Sequence, residues 1–332
     1  MLSFGIILIH YHGTQWIQNK TMKRESIRDS QLIDEVALLE KASSFLDGDL
    51  SQDKLKEATA LHGINHSTAV LYKYLTNRHQ EFISKINSYP TSLATSYKPT
   101  KIIVIPGMFY KEHGDIGADG SLVRNITKKF GFEVELIETL SKGSVLANKD
   151  IVIKTLSENK HKNVWLVSIS KGSIEVRNAL EELRGKEVTK NIKGWVSIVG
   201  LTKGTPHADK KLRNSFTKTT CYLTFKILGV DHAVTEELAC NNNSLKKEML
   251  LDPHLEIIHI NGFPLASHVE PLLVKRYKAL AEGGPNDGIL LLQDLLYVPG
   301  NVYPVWGVDH FLRTSEMSEI IYKMCHYINN TK

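Results

Sequence analysis

The chain predicts an α/β protein: a doubly wound, mostly parallel sheet with an inserted helical cap and a helical amino-terminal extension. Three observations lead there. Short β-branched apolar runs recur from residue 101 onward, helical stretches lie between most of them, and residues 1–97 carry helix-like spacing instead. Apolar runs without polar alternation suit strands covered on both faces, as in parallel sheets joined by helical crossovers.

Taken in order, residues 29–46 place Leu32, Ile33, Val36, Leu38, Leu39 and Phe45 at helical spacing, and Asp47-Gly48 ends that helix. A second helix is expected from Gln52. A third is expected over 67–86, with Val70, Leu71, Tyr74, Leu75, Phe82 and Ile86 on one side. Residues 88–99, with Pro90 and Pro99, read as a linker. The expected division is therefore a helical extension over 1–97 and an α/β domain over 98–332. Strands are expected at 101–105, 133–137, 164–168, 195–199, 255–260 and 302–305. Residues 208–252, between the fourth and fifth strands, are long for a simple connection. They carry a helical pattern of their own (Phe225, Ile227, Leu228, Leu238, Leu245, Met249, Leu250) and suit a cap over a cleft.

Bulk properties narrow the classes. The 332 residues can bury a large core, and 42% hydrophobic with 23% charged residues is ordinary for a globular protein. The +5 balance is mild, and lysines pair locally (Lys128-Lys129, Lys210-Lys211, Lys246-Lys247) without forming a basic stripe. Nucleic acid is not an expected partner, whereas weak attraction to anionic surfaces, and so peripheral membrane contact, stays open. Cys221, Cys240 and Cys325 form neither a disulfide framework nor a metal knuckle, so a reducing, cytoplasmic setting is expected. The apolar stretch from Phe4 to Ile9 is too short to span a membrane and lacks a basic leader. His62 and His66 are four apart but lack a third ligand of convincing spacing, so a structural role is favoured. No metal or cofactor is expected, and the oligomeric state is left open.

The chemistry concentrates in Asn163 to Gly172, NVWLVSISKG. An apolar run enters Ser168-Ile169-Ser170-Lys171-Gly172, and a helix follows. A serine on a tight strand-to-helix turn exposes its Oγ at the carboxyl end of a sheet, and the next N–H can bind an oxyanion. Ser170 is the candidate nucleophile and the Lys171 N–H a candidate donor. The second donor is the Met108 N–H, where the strand 101–105 runs into Pro106-Gly107-Met108-Phe109-Tyr110. Ile9-His10-Tyr11-His12-Gly13 also follows an apolar run, but it lies too far upstream for two βα units and is set aside. The candidate acid is Asp287, on the Gly-flanked turn Pro285-Asn286-Asp287-Gly288. The candidate base is His310, just beyond the last strand and 23 residues after the aspartate. Ser168 competes poorly as nucleophile because it lies within the strand end. Asp309 is expected to cap a helix or face solvent, since adjacent side chains in extended chain point apart. Asp294 is a reserve acid, and His268 a cleft-lining alternative with a stronger packing role.

Together these motifs resemble the α/β-hydrolase superfamily, specifically its lipase-like serine esterase branch. Gly204-Thr205-Pro206-His207 resembles the T-P-H segment that lipases carry after the corresponding strand. Asn286-Asp287-Gly288-Ile289 resembles the stretch holding their catalytic acid, and Gly307-Val308-Asp309-His310-Phe311 the terminal segment holding their histidine. The resemblance covers about residues 101–315. Two departures stand out: Pro106 where lipases usually have His, and Ser168 where they usually have the first Gly of G-x-S-x-G. Lys171 beside the nucleophile is also unusual, and suggests an anionic substrate group. The resemblance implies a serine hydrolase acting on a small-molecule or lipid ester through Ser170, Asp287 and His310. The same constellation serves a thioesterase or an acyltransferase. A non-catalytic hydrolase fold used for binding is the alternative from another class.

Overall fold

The computed structural model describes residues 35–43, 49–94 and 96–331. Six strands, β1 (Lys101–Ile105), β2 (Glu133–Leu136), β3 (Val164–Ile169), β4 (Ile192–Ile198), β5 (Glu256–Phe263) and β6 (Asn301–Trp306), form one sheet ordered β2-β1-β3-β4-β5-β6. All five pairings are parallel. Each strand lies on an apolar run, with its ends moved by a few residues. β5 extends to Phe263 because Asn261, Gly262 and Phe263 pair with Pro304, Val305 and Trp306, so ladder bonding rather than apolar content sets its end.

The interior strands read as largely apolar runs because both faces are covered, whereas the edge strand β2, Glu-Val-Glu-Leu, alternates and has no buried residue. Ile102 and Val104 of β1 enter the cluster beneath the helices Ser121–Phe130 and Glu316–Asn330. Ile103 and Ile105 enter the opposite one, beneath Val145–Glu158 and Gly172–Leu183. All four are fully buried, each contributing about 1.5–3 kcal/mol by leaving water. The order reverses at β1, with β2 on one side and β3 on the other. Chains leaving β1 and β3 therefore diverge and open a crevice at their carboxyl ends.

A third cluster lies beside the loops that follow the strands. Leu55, Leu71 and Leu75 meet Leu201, Val234, Phe263 and Leu290 there, with Met108 packed against them. The helices Gln52–His62 and Ile64–Arg78 thus share their core with the sheet's loops. The single helix expected over 67–86 is instead two. His79 leaves helical geometry (φ −110°, ψ 23°), and the chain resumes as Gln80–Asn87, which delivers Phe82 and Ile86 to the sheet core. Of the helix expected over 29–46, residues 35–43 are helical; the remainder, the Phe4–Ile9 stretch and the Ile9–Gly13 turn lie outside the described residues. The segment 208–252 contributes Ser215–Leu228, Ala233–Glu237 and Asn243–Lys246, after the helix Pro206–Leu212. No helix among the described residues is long and apolar enough to cross a membrane.

Candidate active site

Ser170 sits at the turn between β3 and the helix Gly172–Leu183 with φ 50°, a left-handed conformation that costs a non-glycine residue about 1–2 kcal/mol. Neighbours hold it there. Its N–H donates to the Ile198 carbonyl (3.0 Å), and its own carbonyl accepts from Leu201 and Ser173 N–H (both 3.1 Å). The turn is tight because two glycines allow close approach. A Cβ on Gly172 would lie 2.6 Å from the Pro106 carbonyl oxygen, and one on Gly107 would lie 3.3 Å from that of Ile169. The turn that holds Gly107 and Met108 therefore rests directly on the elbow. Among the described residues, neither Met108 nor Lys171 N–H donates to a protein acceptor.

Asp287, His310 and Ser170 form one hydrogen-bonded line. His310 Nε2 lies 3.0 Å from Ser170 Oγ, and its Nδ1 lies 2.7 Å from Asp287 Oδ2. Asp287 is fully buried, and its other oxygen accepts the N–H groups of Ile289 and Leu290, both at 2.9 Å. With Asp287 ionised, Nδ1–H donates to it and Nε2 is left to accept the serine proton. The histidine backbone is pinned to the same loop, its N–H donating to the Asp287 carbonyl at 3.1 Å.

The remaining sequence candidates fall elsewhere. Ser168 is fully buried, with Oγ accepting the Trp195 indole N–H (2.7 Å) and bonded to Ser173 (2.8 Å). Asp309 does not face solvent. It is 3% exposed and accepts the N–H groups of Glu270 (2.7 Å) and Phe311 (3.0 Å). Asp294 accepts from Gln52 (3.0 Å) rather than from a histidine. His268 bonds Glu35 (2.8 Å) and accepts the Leu265 N–H (3.1 Å). The expectation that Lys171 attracts an anionic substrate is overturned. Its side chain is 2% exposed and is ion-paired with Glu175 one turn along, so its charge is already spent within the fold. His62 and His66 meet ring to ring, with centroids 5.1 Å apart.

Solved structures resemble this chain in fold. A metagenomic carboxyl esterase matches with a TM-score of 0.57 at 16% identity, over 73% of this chain and 79% of its own. The mature Bacillus licheniformis lipase matches at TM-score 0.50 and 17% identity, over 71% and 91%. Lipase 1 from Pelosinus fermentans matches at TM-score 0.50 and 11% identity, over 71% and 100%. The fold is that of an α/β-hydrolase. No protein-family model matches the chain, and no match is found among curated proteins.

Within this hydrolase fold, sequence reading gave no role to the residues that hold the loop carrying Asp287. The Thr205 hydroxyl donates to the Ile289 carbonyl, and His207 Nε2 donates to that of Gly288 (3.0 Å). Asn286 accepts the Gly288 N–H (3.0 Å). Burial lowers the His207 pKa, keeping the ring a neutral donor. The Thr205-Pro206-His207 motif was the available signal, but it carried no role until the loop it grips was placed beside it.

Proposed function

We propose that this protein is a serine hydrolase that cleaves carboxylic esters, including acyl esters of lipids. The observation that carries this reading is the unbroken line from Ser170 Oγ through His310 to buried Asp287, presented by a strained turn. Ser170 attacks the ester carbonyl carbon as its proton passes to His310 Nε2. The N–H groups of Met108 and Lys171 bind the oxyanion that forms. Asp287 holds the histidine tautomer and offsets the imidazolium charge. His310 then gives its proton to the leaving alkoxide. Water, deprotonated by the same nitrogen, finally releases the acyl group from Ser170. That fold neighbours are named carboxyl esterases and lipases supports an ester substrate. The free thiols of Cys221, Cys240 and Cys325 support a reducing setting.

Labelling with a fluorophosphonate probe and mapping of the adduct tests the reading. The expected result is one adduct on Ser170, lost in Ser170→Ala and His310→Ala. Asp287→Asn should lower turnover of a soluble ester on the order of 10³-fold or more. Folded protein that never labels would remove the enzymatic reading.

A further inference from the structure

The helix Ser215–Leu228 is unusual for a packed element: of its fourteen residues only Cys221 is buried. Phe216, Leu223 and Ile227 are exposed by 81%, 53% and 84%. Their spacing, seven and then four residues, places them on one stripe. A stripe of large apolar side chains left in water marks an interaction surface rather than a folding contact. Its flanks have a consistent sign. From 210 to 228 the chain carries Lys210, Lys211, Arg213, Lys218 and Lys226 and no acidic residue. Of these, Lys218 pairs with Glu236 from the next helix, and Lys210 donates to the Ala279 carbonyl.

The helix lies beside the catalytic crevice. Just beyond its end, the Asp231 N–H donates to the Lys142 carbonyl (2.9 Å), and the neighbouring Ser141 carbonyl accepts the Phe109 N–H (3.1 Å). Phe109 follows the oxyanion residue Met108. The chain leaving the helix is therefore tied to the loop that follows Met108.

We propose that the segment 210–228 docks this protein onto an anionic lipid bilayer, apolar stripe inserted and basic flanks against the headgroups. The charge decides the occupant. Lysines are depleted at protein–protein interfaces, and a second copy seated stripe to stripe would set the like charges of this segment against one another. A basic amphipathic helix with exposed aromatic and aliphatic groups is instead the pattern that binds in the plane of a bilayer interface. This deepens the esterase reading by placing its substrates in a lipid surface, but the binding itself needs no turnover.

Sedimentation of the full-length Ser170→Ala protein with vesicles tests it, since that variant cannot consume the lipid. Binding is expected to vesicles of phosphatidylcholine mixed with phosphatidylserine, to weaken with added salt, and to be far weaker on phosphatidylcholine alone. Arg213→Glu/Lys226→Glu should lose affinity by about fivefold or more per charge. Phe216→Ser/Ile227→Ser should lose binding with its thermal unfolding unchanged, which separates docking from misfolding. Absent binding to anionic vesicles, or binding indifferent to both pairs of substitutions, would overturn the proposal. So would a concentration-dependent dimer that Phe216→Ser/Ile227→Ser abolishes, which would assign the stripe to a second copy. Fluorophosphonate labelling of the native chain is scored separately, so a dead nucleophile and an absent lipid surface give different results.

Discussion

Ser168 occupies the position where the resembling motif has glycine, and its surroundings explain the substitution. Its hydroxyl takes the indole proton of Trp195, which is itself fully buried, and joins Ser173, which accepts from Ser197 at 3.0 Å. A buried N–H without an acceptor costs about 1–3 kcal/mol. Ser168→Gly, although it restores the usual motif, should therefore lower the unfolding free energy measured in urea by about 1–3 kcal/mol while Ser170 still labels. A gain in stability would show that the Trp195 proton needs no partner. Ser170, one residue past the strand, is the opposite case: its φ of 50° is a cost borne where the chain must expose Oγ.

Between elements, the elbow helix is tied to the loop after Met108 by a buried polar path. Lys171 pairs with Glu175, and Asn148 from the helix Val145–Glu158 donates to the same carboxylate (2.8 Å). Asn148 also donates to the Leu140 carbonyl (3.0 Å) and accepts the Leu140 N–H (2.8 Å); the next residue, Ser141, receives the Phe109 N–H. Burial raises the Glu175 pKa, opposed by the Lys171 ammonium. Glu175→Gln leaves that ammonium buried without a counter-charge and should cost about 3–5 kcal/mol. Lys171→Met/Glu175→Leu should recover most of it, because an apolar pair carries no desolvation penalty. Urea unfolding of the two single variants and the double measures the coupling. A loss below about 1 kcal/mol for Glu175→Gln would mean that the pair is neutral in the folded protein.

Across the whole molecule, two groups give stability a pH dependence of opposite signs. Burial raises Asp294 to about 7, opposed by Lys203 and the Gln52 hydrogen bond. Unfolded chains lose this proton nearer 3.8, so between those values the native state holds more protons, and stability falls as pH rises. Burial lowers His259 to about 4. Below its ordinary 6.5 the unfolded state binds that proton first, so stability falls as pH drops toward 4. Asp294→Asn removes only the first effect. Its melting temperature should gain on the wild type as pH rises from 4 to 7, by a few °C, and the difference should level off above 7. A constant difference across that range would show that Asp294 ionises normally.

Much of this was legible along the chain, and the exceptions share one cause. Apolar strands buried on both faces are a local pattern, so the interior strands lay on the runs that announce them, with β2 on an alternating stretch at the edge; the order of Ser170, Asp287 and His310 is likewise a property of sequence alone. Contacts between distant segments are not written locally. Lys171 looked like a substrate-binding cation because its partner's burial was invisible, and Asp309 looked like a helix cap or a solvent-facing group because Glu270, whose N–H it accepts, lies 39 residues away. The break at His79 was hidden within continuous helical spacing; it depends on where Phe82 and Ile86 must reach. That Ser170 and His310, 140 residues apart, come within 3.0 Å was for the tertiary structure to decide. A parallel sheet delivers every loop that leaves a strand to one edge, and the packing of its two faces decides which of those loops meet there.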